Sequence, residues 1–137
     1  MYRILVEKNR PDFRVFIDLL YGAERNVDTD GDSDPVNSRT WSYLYIADRE
    51  SDDPSIEICA NEKEPSTFEV QSESMDLVTL AALYLFLYCG ASIKLDDRAL
   101  EQQEVDVLKK RYASQLRRAE NAIWHLASNE KRYPNLA

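Results

Sequence analysis

Histidine and cysteine are scarce in this sequence. The chain of 137 residues has one histidine, His125, and two cysteines, Cys59 and Cys89. It contains no HExxH, CxxC, GxSxG or GxGxxG motif and no phosphate-binding loop. A lone histidine beside Trp124, near the end of a helical pattern, is typical of a packing or surface residue. The sequence therefore predicts a protein that is not an enzyme, although a catalytic pair of carboxylates would need no such motif.

The two cysteines are too few for a disulfide framework. They are best interpreted as reduced thiols in or near the core of a cytoplasmic protein, and the sequence leaves a single bridge between them open. The N-terminal residues MYRILVEKNR contain no basic region followed by an apolar run. We therefore expect no signal peptide.

Positive charge is also in short supply. The net charge is −8, and the sequence pI is near 4.7. This balance argues against a nucleic-acid partner, because contacts to phosphates need Lys and Arg. Residues 1–96 hold 9 positive and 19 negative side chains, whereas residues 97–137 hold 8 and 6. The acidity therefore belongs to the first part of the chain, where it suits a basic protein partner or serves solubility alone.

One long apolar run is present, from Leu77 to Cys89, and only Thr79 interrupts it with a polar atom. Ser74 is placed to cap a helix, and Gly90 to end it in a left-handed conformation. A helix that is apolar on every side must be enclosed by the rest of the protein. The run is shorter than the roughly 20 residues of a membrane span, so we predict a buried central helix and no membrane contact.

Alternating apolar residues predict strands at residues 2–7, 41–47, 56–60 and 67–71, and the short links between the last three indicate an antiparallel meander. Residues 13–21 fit either a strand or a helix. Their aromatic and β-branched side chains favour a strand that forms a hairpin with the first one. Residues 22–39 are predicted to form a long acidic loop.

After the central helix we expect a short link over residues 91–96, then a long helix capped by Asp96 or Asp97. Its apolar stripe is Val105, Leu108, Tyr112, Leu116, Ala119, Ile123 and Leu126. Pro134 cannot continue this helix, and residues 130–137 are expected to fray. The predicted fold is one α+β domain over residues 1–137. In it, an antiparallel sheet of four to five strands packs on the buried central helix and the long C-terminal helix.

Oxygen-bearing side chains alternate along residues 26–37, with a glycine at the sixth position. The segment resembles an EF-hand loop at Asn26, Asp28, Asp30, Gly31 and Asp34, and this resemblance implies calcium binding. It departs from the EF-hand pattern at Asn37, where a bidentate glutamate is needed, and Pro35 does not supply an exiting helix. A flexible acidic loop without cofactor is the favoured interpretation. Calcium held by the following residues is the alternative: Asn26, Asp28, Asp30, Asp32 and Asp34.

The function that these observations favour is binding to another protein. We expect a small acidic protein of the bacterial immunity or antitoxin type, which neutralises a basic toxin such as a nuclease by direct contact. The predicted contact residues are Asp28, Asp30, Asp32, Asp34, Asp48, Glu50, Asp52, Asp53, Tyr43 and Tyr45. A calcium-binding interaction module and a carboxylate-based enzyme or small-ligand domain are the alternatives. The oligomeric state is left open.

Overall fold

The computed structural model describes residues 1–23, 25–34, 36 and 38–125. These residues form an α+β fold with an antiparallel sheet, as predicted, but with seven strands rather than four to five. The expected C-terminal tail, residues 130–137, lies outside the described residues. The elements in chain order are β1 (Tyr2–Val6), α1 (Val15–Leu20), β2 (Val27–Gly31), β3 (Tyr43–Asp48), β4 (Ile56–Ala60), β5 (Thr67–Ser72), α2 (Met75–Cys89), β6 (Gly90–Leu95), β7 (Arg98–Ala99), α3 (Gln102–Arg111) and α4 (Ala113–Glu120).

The strands lie in the order β2-β3-β4-β5-β1-β6-β7, and every neighbouring pair is antiparallel. Strands β2 to β5 form the meander, and β1 lies between β5 and β6. One face of the sheet is apolar and buried under the helices. Its residues include Ile4, Ile46, Ile58, Phe68 and Val70, each at most 2% exposed. We call the opposite face, which carries the alternate residues, the open face.

Helix α2 is the central core helix that the apolar run predicted. Ser74 caps it as expected, since its hydroxyl accepts a hydrogen bond from the backbone N–H of Leu77 at 3.2 Å. The helix packs on β1, β5 and β6, and α1 and α3 pack on it in turn. Among the described residues, no helix combines the length and the apolarity that crossing a bilayer requires.

The end of α2 differs from the prediction. Gly90 has φ −93° and ψ 147°, an extended conformation, so no left-handed residue closes the helix. The chain passes directly into β6, so residues 91–95 belong to a strand of the sheet rather than to a link. The glycine is needed for space instead. A Cβ at Gly90 would lie 2.8 Å from Cα of Phe86 and 2.9 Å from Cγ2 of Ile4.

The segment 13–21 contains helix α1, Val15–Leu20, so the prediction of a strand and a hairpin was wrong. Phe16 and Leu20 should point outward from a strand that buries Val15 and Leu19, yet all four are buried. That spacing belongs to a helix. Packing of α1 against α2 and α4 outweighs the β propensity of its aromatic and branched side chains.

The predicted loop over residues 22–39 contains strand β2, which extends the meander by one strand. Its backbone pairs with β3 from Val27 opposite Asp48 to Gly31 opposite Leu44. The alternating Asp and Thr residues of this strand gave no apolar pattern by which to predict it. The strand lies at the sheet edge and buries little apolar surface. Carboxylates on an edge strand also prevent it from pairing with another chain.

The long C-terminal helix is two shorter helices, α3 and α4, which meet at Tyr112. Tyr112 leaves helical geometry, with φ −106° and ψ 22°, while its ring stays buried and its hydroxyl donates to Asp76 Oδ1 at 2.8 Å. Asp96 and Asp97 do not cap a helix. They form the β6–β7 turn at positive φ, and Glu101 caps α3.

Candidate partner-binding surface

The open face presents two tyrosines near its β2 edge. Tyr43 and Tyr45 alternate with the buried Leu44 and Ile46, so both rings point away from the helices. Both side chains are half-buried by their neighbours in the sheet. The arrangement leaves two aromatic rings on a strand that is paired on both sides.

Carboxylates flank these rings on both neighbouring strands. The β2–β3 register sets Asp30 beside Tyr45, and the β3–β4 register sets Glu57 on the other side of Tyr45. Glu57 lies diagonally from Tyr43, whose direct partner on β4 is Cys59, and the Tyr43 hydroxyl donates to Glu57 Oε1 at 3.4 Å. Burial, followed by the charge of Glu57, raises the pKa of Tyr43. The hydroxyl of Tyr43 therefore lies in a negative environment.

The acids of this surface differ in how many ion pairs and hydrogen bonds they already make within the protein. Asp28 is ion-paired with Arg49, whose Nε lies 2.6 Å from Oδ1, and this contact lowers the pKa of Asp28. Among the described residues, Asp30 accepts a single hydrogen bond, from the N–H of Gly31. Asp30 therefore offers more of its charge to a partner than Asp28 does.

The β3–β4 turn adds acids at the same end of the sheet. Asp52 and Asp53 are exposed, and their side chains make no hydrogen bond or ion pair within the described residues. Glu50 is also exposed, but it accepts from the N–H of Asn26 at 2.8 Å and lies near Arg25. The turn thus supplies two unengaged carboxylates and one that is engaged in part.

Asp48 does not reach this surface. Its side chain points to the helix side of the sheet and is 1% exposed. It accepts from the N–H of Glu50 at 3.0 Å, from Ser51 Oγ at 2.9 Å and from Arg25 Nη2 at 2.7 Å. These contacts lower its pKa, the bond from Glu50 most of all. In the structure Asp48 holds the β3–β4 turn together.

The residues predicted as calcium ligands lie in different local surroundings. Asp28 and Asp30 extend from one strand, whereas Asp32 turns back to the start of β3, where it accepts from the N–H groups of Ser42 at 2.7 Å and Tyr43 at 3.0 Å. Burial alone would raise the pKa of Asp32, but these bonds and that from the Ser42 hydroxyl lower it. Asp34 is exposed. Within the residues that the structure describes, no three acids, histidines or cysteines form a group able to hold a metal ion.

Gly31 has a role other than the sharp turn of a calcium loop. Its φ is +157°, and a Cβ there would lie 2.4 Å from the carbonyl oxygen of Tyr43. Glycine at this position allows the end of β2 to approach β3 closely. Gly31 pairs with Leu44 in the same register that sets Asp30 beside Tyr45.

Both cysteines are free, which resolves the question of a bridge that the sequence left open. Cys59 lies on the open face beside Tyr43, and its pKa is raised by burial and then by Glu69 and Glu57. Cys89 is buried at the end of α2 and donates to the carbonyl of Leu85 at 3.3 Å.

Sequence reasoning did not select Glu57, although the structure places it between the two tyrosines. Its signal was available in the alternation of β4, where Glu57 stands between the buried Ile56 and Ile58. Predicting Glu57 as part of this surface requires the register of β4 against β3, which the sequence alone does not supply.

Comparison of the chain with known protein families, with characterised proteins and with solved structures found no match.

Proposed function

We propose that this chain binds a basic protein through the part of the open face formed by β2, β3 and β4, together with the β3–β4 turn. The observation that carries the proposal is the pair Tyr43 and Tyr45 set among carboxylates on a rigid sheet. Tyrosines at an interface are frequent centres of binding energy even when part of the ring is already packed, and surrounding charges govern the rate and the choice of partner.

The extent of the surface decides which residues must take part. A stable interface covers about 800 Å² on each partner. Three strands of five residues, about 4.8 Å apart and rising about 3.3 Å per residue, present a projected area of roughly 250 Å². The strands alone are therefore too small, and Glu50, Asp52 and Asp53 in the adjacent turn belong to the same interface.

Charge also sets the orientation of the partner. The far half of the open face carries Arg3 and Lys94 on β1 and β6, whereas Asp30, Asp52, Asp53 and Glu57 lie at the other end. A basic surface is attracted to the acidic end more strongly than to the far half, where Arg3 is paired with acids. Arg3 is moreover engaged by Glu69 and Asp97 at 3.1 and 2.5 Å.

The finer form of the proposal is an inhibitor of the immunity or antitoxin type, acting in the cytoplasm without catalysis. Nuclease active sites hold phosphates and are accordingly basic. An acidic sheet face with tyrosines at its centre has the charge needed to occupy such a site. In this form of the proposal, the residues that contact the partner are Asp30, Asp52, Asp53, Tyr43 and Tyr45. The other predicted aspartates add to the negative potential of the surface or support its structure; they are Asp28, Asp32, Asp34 and Asp48.

The test is affinity capture from native lysate with three forms of the chain, followed by quantitative mass spectrometry. The forms are wild type, Tyr45→Arg, and the control Thr67→Arg, which adds the same charge on the far half of the open face. We expect a basic protein that wild type and Thr67→Arg retain at moderate salt and that Tyr45→Arg loses. Equal retention by all three forms would contradict the proposed surface.

Purified partner then separates electrostatic attraction from contact. Substituting Asn for Asp30, Asp52 and Asp53 together should slow association about tenfold at low salt and flatten its dependence on ionic strength. Cytochrome c serves as a generic basic protein. Its affinity should depend on the net charge of the chain alone, so it should be the same for Tyr45→Arg and Thr67→Arg. Cleavage of nucleic acid by the captured protein, unaffected by the wild-type chain, would reject the inhibitor reading while leaving the binding surface in place.

A further inference from the structure

A cavity of about 600 Å³ lies on the helix side of the sheet, away from the open face. Side chains of α2, α3 and α4 line it, together with Lys8 and Asn9 beyond the end of β1. Its volume falls in the range of small-molecule sites, about 300–1,000 Å³. The cavity takes no part in the protein-binding surface proposed above.

Three rings form an aromatic wall in this cavity. The hydroxyl of Tyr84 lies 3.1 Å from Nδ1 of His125, and the centroids of Tyr84 and Tyr88 are 6.0 Å apart. The His125 ring lies 6.4 Å from each tyrosine ring, edge-on to Tyr88. Leu87 and Leu116 add aliphatic surface. A ligand here would rest on an apolar, partly aromatic wall.

The charged residues that line the cavity are mostly positive, in contrast to the chain as a whole. Lys8, Arg39 and Lys109 face one acid, Glu120, in a protein whose net charge is −8. Cations gathered at one cavity of an acidic protein draw anions to that cavity and away from the rest of the surface.

Arg39 provides the strongest observation. Its Nε and Nη2 are buried and have no hydrogen-bond partner among the residues that the structure describes. These two nitrogens form the edge of a guanidinium that binds carboxylates and phosphates through two parallel bonds. Arg14 uses the same edge to hold Asp12, with Nε–Oδ1 at 2.9 Å and Nη2–Oδ2 at 2.6 Å. The corresponding edge of Arg39 has the donors but lacks the acceptor.

The backbone of Arg39 is fixed, because its carbonyl accepts from the N–H of Arg10 at 2.8 Å. A buried cationic edge without an acceptor is costly, and native proteins rarely keep one without a reason. Both nitrogens are shielded from solvent, so an oxyanion reaches them only if a neighbouring side chain moves aside.

We propose that this cavity binds a small amphipathic anion, an aromatic or aliphatic body with one carboxylate or phosphate group that Arg39 receives. Lys8 and Lys109 reinforce the anionic end. The rings of Tyr84, Tyr88 and His125 hold the apolar body.

The test uses four probes: 1-naphthyl phosphate, 1-naphthoate, neutral 1-naphthol and inorganic phosphate. His125 is the only histidine, so its ring gives a unique NMR signal inside the cavity. We expect one or both naphthyl anions to shift this signal saturably and more tightly than naphthol or phosphate. The stronger of the two identifies the oxyanion as tetrahedral or planar.

Variants then assign the anion to its residues. Arg39→Gln should weaken the better naphthyl anion at least tenfold, roughly the effect of losing one charge-assisted contact, and leave naphthol unchanged. Lys109→Gln should weaken the anion about threefold. The matched control is Lys110→Gln, which removes the same charge from the next residue of α3, outside the cavity, and should have no effect.

Stability gives an independent reading of Arg39. Arg39→Met keeps the volume and removes the charge whose buried Nε and Nη2 find no acceptor among the described residues, so it should raise the melting temperature without ligand. A large fall would show that Arg39 is a structural residue and would overturn the assignment. Four other results would also overturn the assignment. Naphthol or inorganic phosphate could bind as tightly as the naphthyl anions, acidic peptides could be the only molecules that bind, or the His125 signal could stay unchanged at millimolar probe.

Discussion

Replacing Gly90 with alanine tests the junction on which α2 and β6 depend. The added Cβ would lie 2.8 Å from Cα of Phe86 and 2.9 Å from Cγ2 of Ile4. Carbon atoms at rest are about 3.5–4.0 Å apart, so the strand and the helix would have to separate by most of an ångström. Ile4 is fully buried, and the strand that carries it, β1, is paired with β5 on one side and with β6 on the other. Ile4 therefore has little space into which it could move.

We expect Gly90→Ala to lower the free energy of unfolding by about 2–3 kcal/mol, the upper part of the range for overpacked cores, because one of the clashes is with helix backbone. For a domain of this size that corresponds to a fall in melting temperature of about 6–12 °C. Urea denaturation and calorimetry would measure both values. The control is Ala91→Ser, which adds one atom at the next, exposed residue and should change stability by less than about 0.5 kcal/mol.

Gly90→Asn distinguishes the two possible reasons for glycine at this position. Asparagine tolerates the left-handed conformation, so it would be nearly as good as glycine if the residue closed the helix in that way. In the structure φ is −93° and space is limiting, so asparagine should be worse than alanine. Asparagine tolerated better than alanine would refute the steric argument.

Two titrating groups give further predictions. Burial raises the pKa of Tyr21 to about 12, above its usual value near 10, so its contribution to stability is complete below about pH 10 and is lost as the pH rises towards 12; Tyr21→Phe should flatten this alkaline decline in denaturation curves. The pKa of Asp48 is lowered, chiefly by the N–H of Glu50, so its contribution is present above about pH 4 and is lost as the pH falls through the lowered value. Asp48→Asn should reduce stability at pH 7 and weaken its acid dependence, and an unchanged acid limb would show that the carboxylate is not coupled to folding.

The central helix could be predicted because its evidence is local. An unbroken apolar run with Ser74 before it leaves no other stable arrangement in water, and the hydrogen bond from Leu77 to Ser74 follows from the helix itself. The strands with one buried side could be predicted for a similar reason. Ile56 and Ile58 alternate with Glu57 because one face of β4 is covered and the other is not.

The errors occurred where the decisive interaction lies far away in sequence. The segment from Phe13 to Tyr21 fits the apolar periodicity of a strand and that of a helix. It forms α1 because it packs against α2 and α4, which lie more than 50 residues later in the chain. Strand β2 buries almost nothing, so its identity depends on pairing with β3. The positions of Asp30 beside Tyr45 and of Asp48 on the other side of the sheet follow from that register. A list of acidic residues therefore could not separate contact residues from structural ones.

The break at Tyr112 was hidden for a different reason. Val105, Tyr112, Leu116 and Ala119 are all buried, as the predicted stripe required, yet the helix is interrupted between them. Two short helices can turn their apolar stripes towards different neighbours, α3 towards α2 and α4 towards α1. The cavity with Arg39 lies beside this break, and its members come from segments up to 117 residues apart, from Lys8 to His125. No spacing in the sequence could reveal it.

The acidic surface and the cationic cavity should influence each other through the electric field alone. A domain of this length has a radius of gyration near 14 Å, so the two sites are on the order of 20 Å apart. In water each unit charge at that distance contributes about 0.2 kcal/mol, and three charges about 0.6 kcal/mol. Neutralising Asp30, Asp52 and Asp53 as asparagines should therefore tighten binding of a singly charged naphthoate about threefold at very low ionic strength.

Salt provides the decisive comparison for this coupling. At 0.15 M the screening length is about 8 Å, so the effect of the three substitutions on naphthoate should vanish. Titration of the His125 signal at both ionic strengths measures it, with naphthol as the neutral reference. A change in naphthoate affinity that persists at 0.15 M would mean that the β3–β4 turn and the cavity are joined by a structural change. The rigid sheet between them gives no physical reason to expect one.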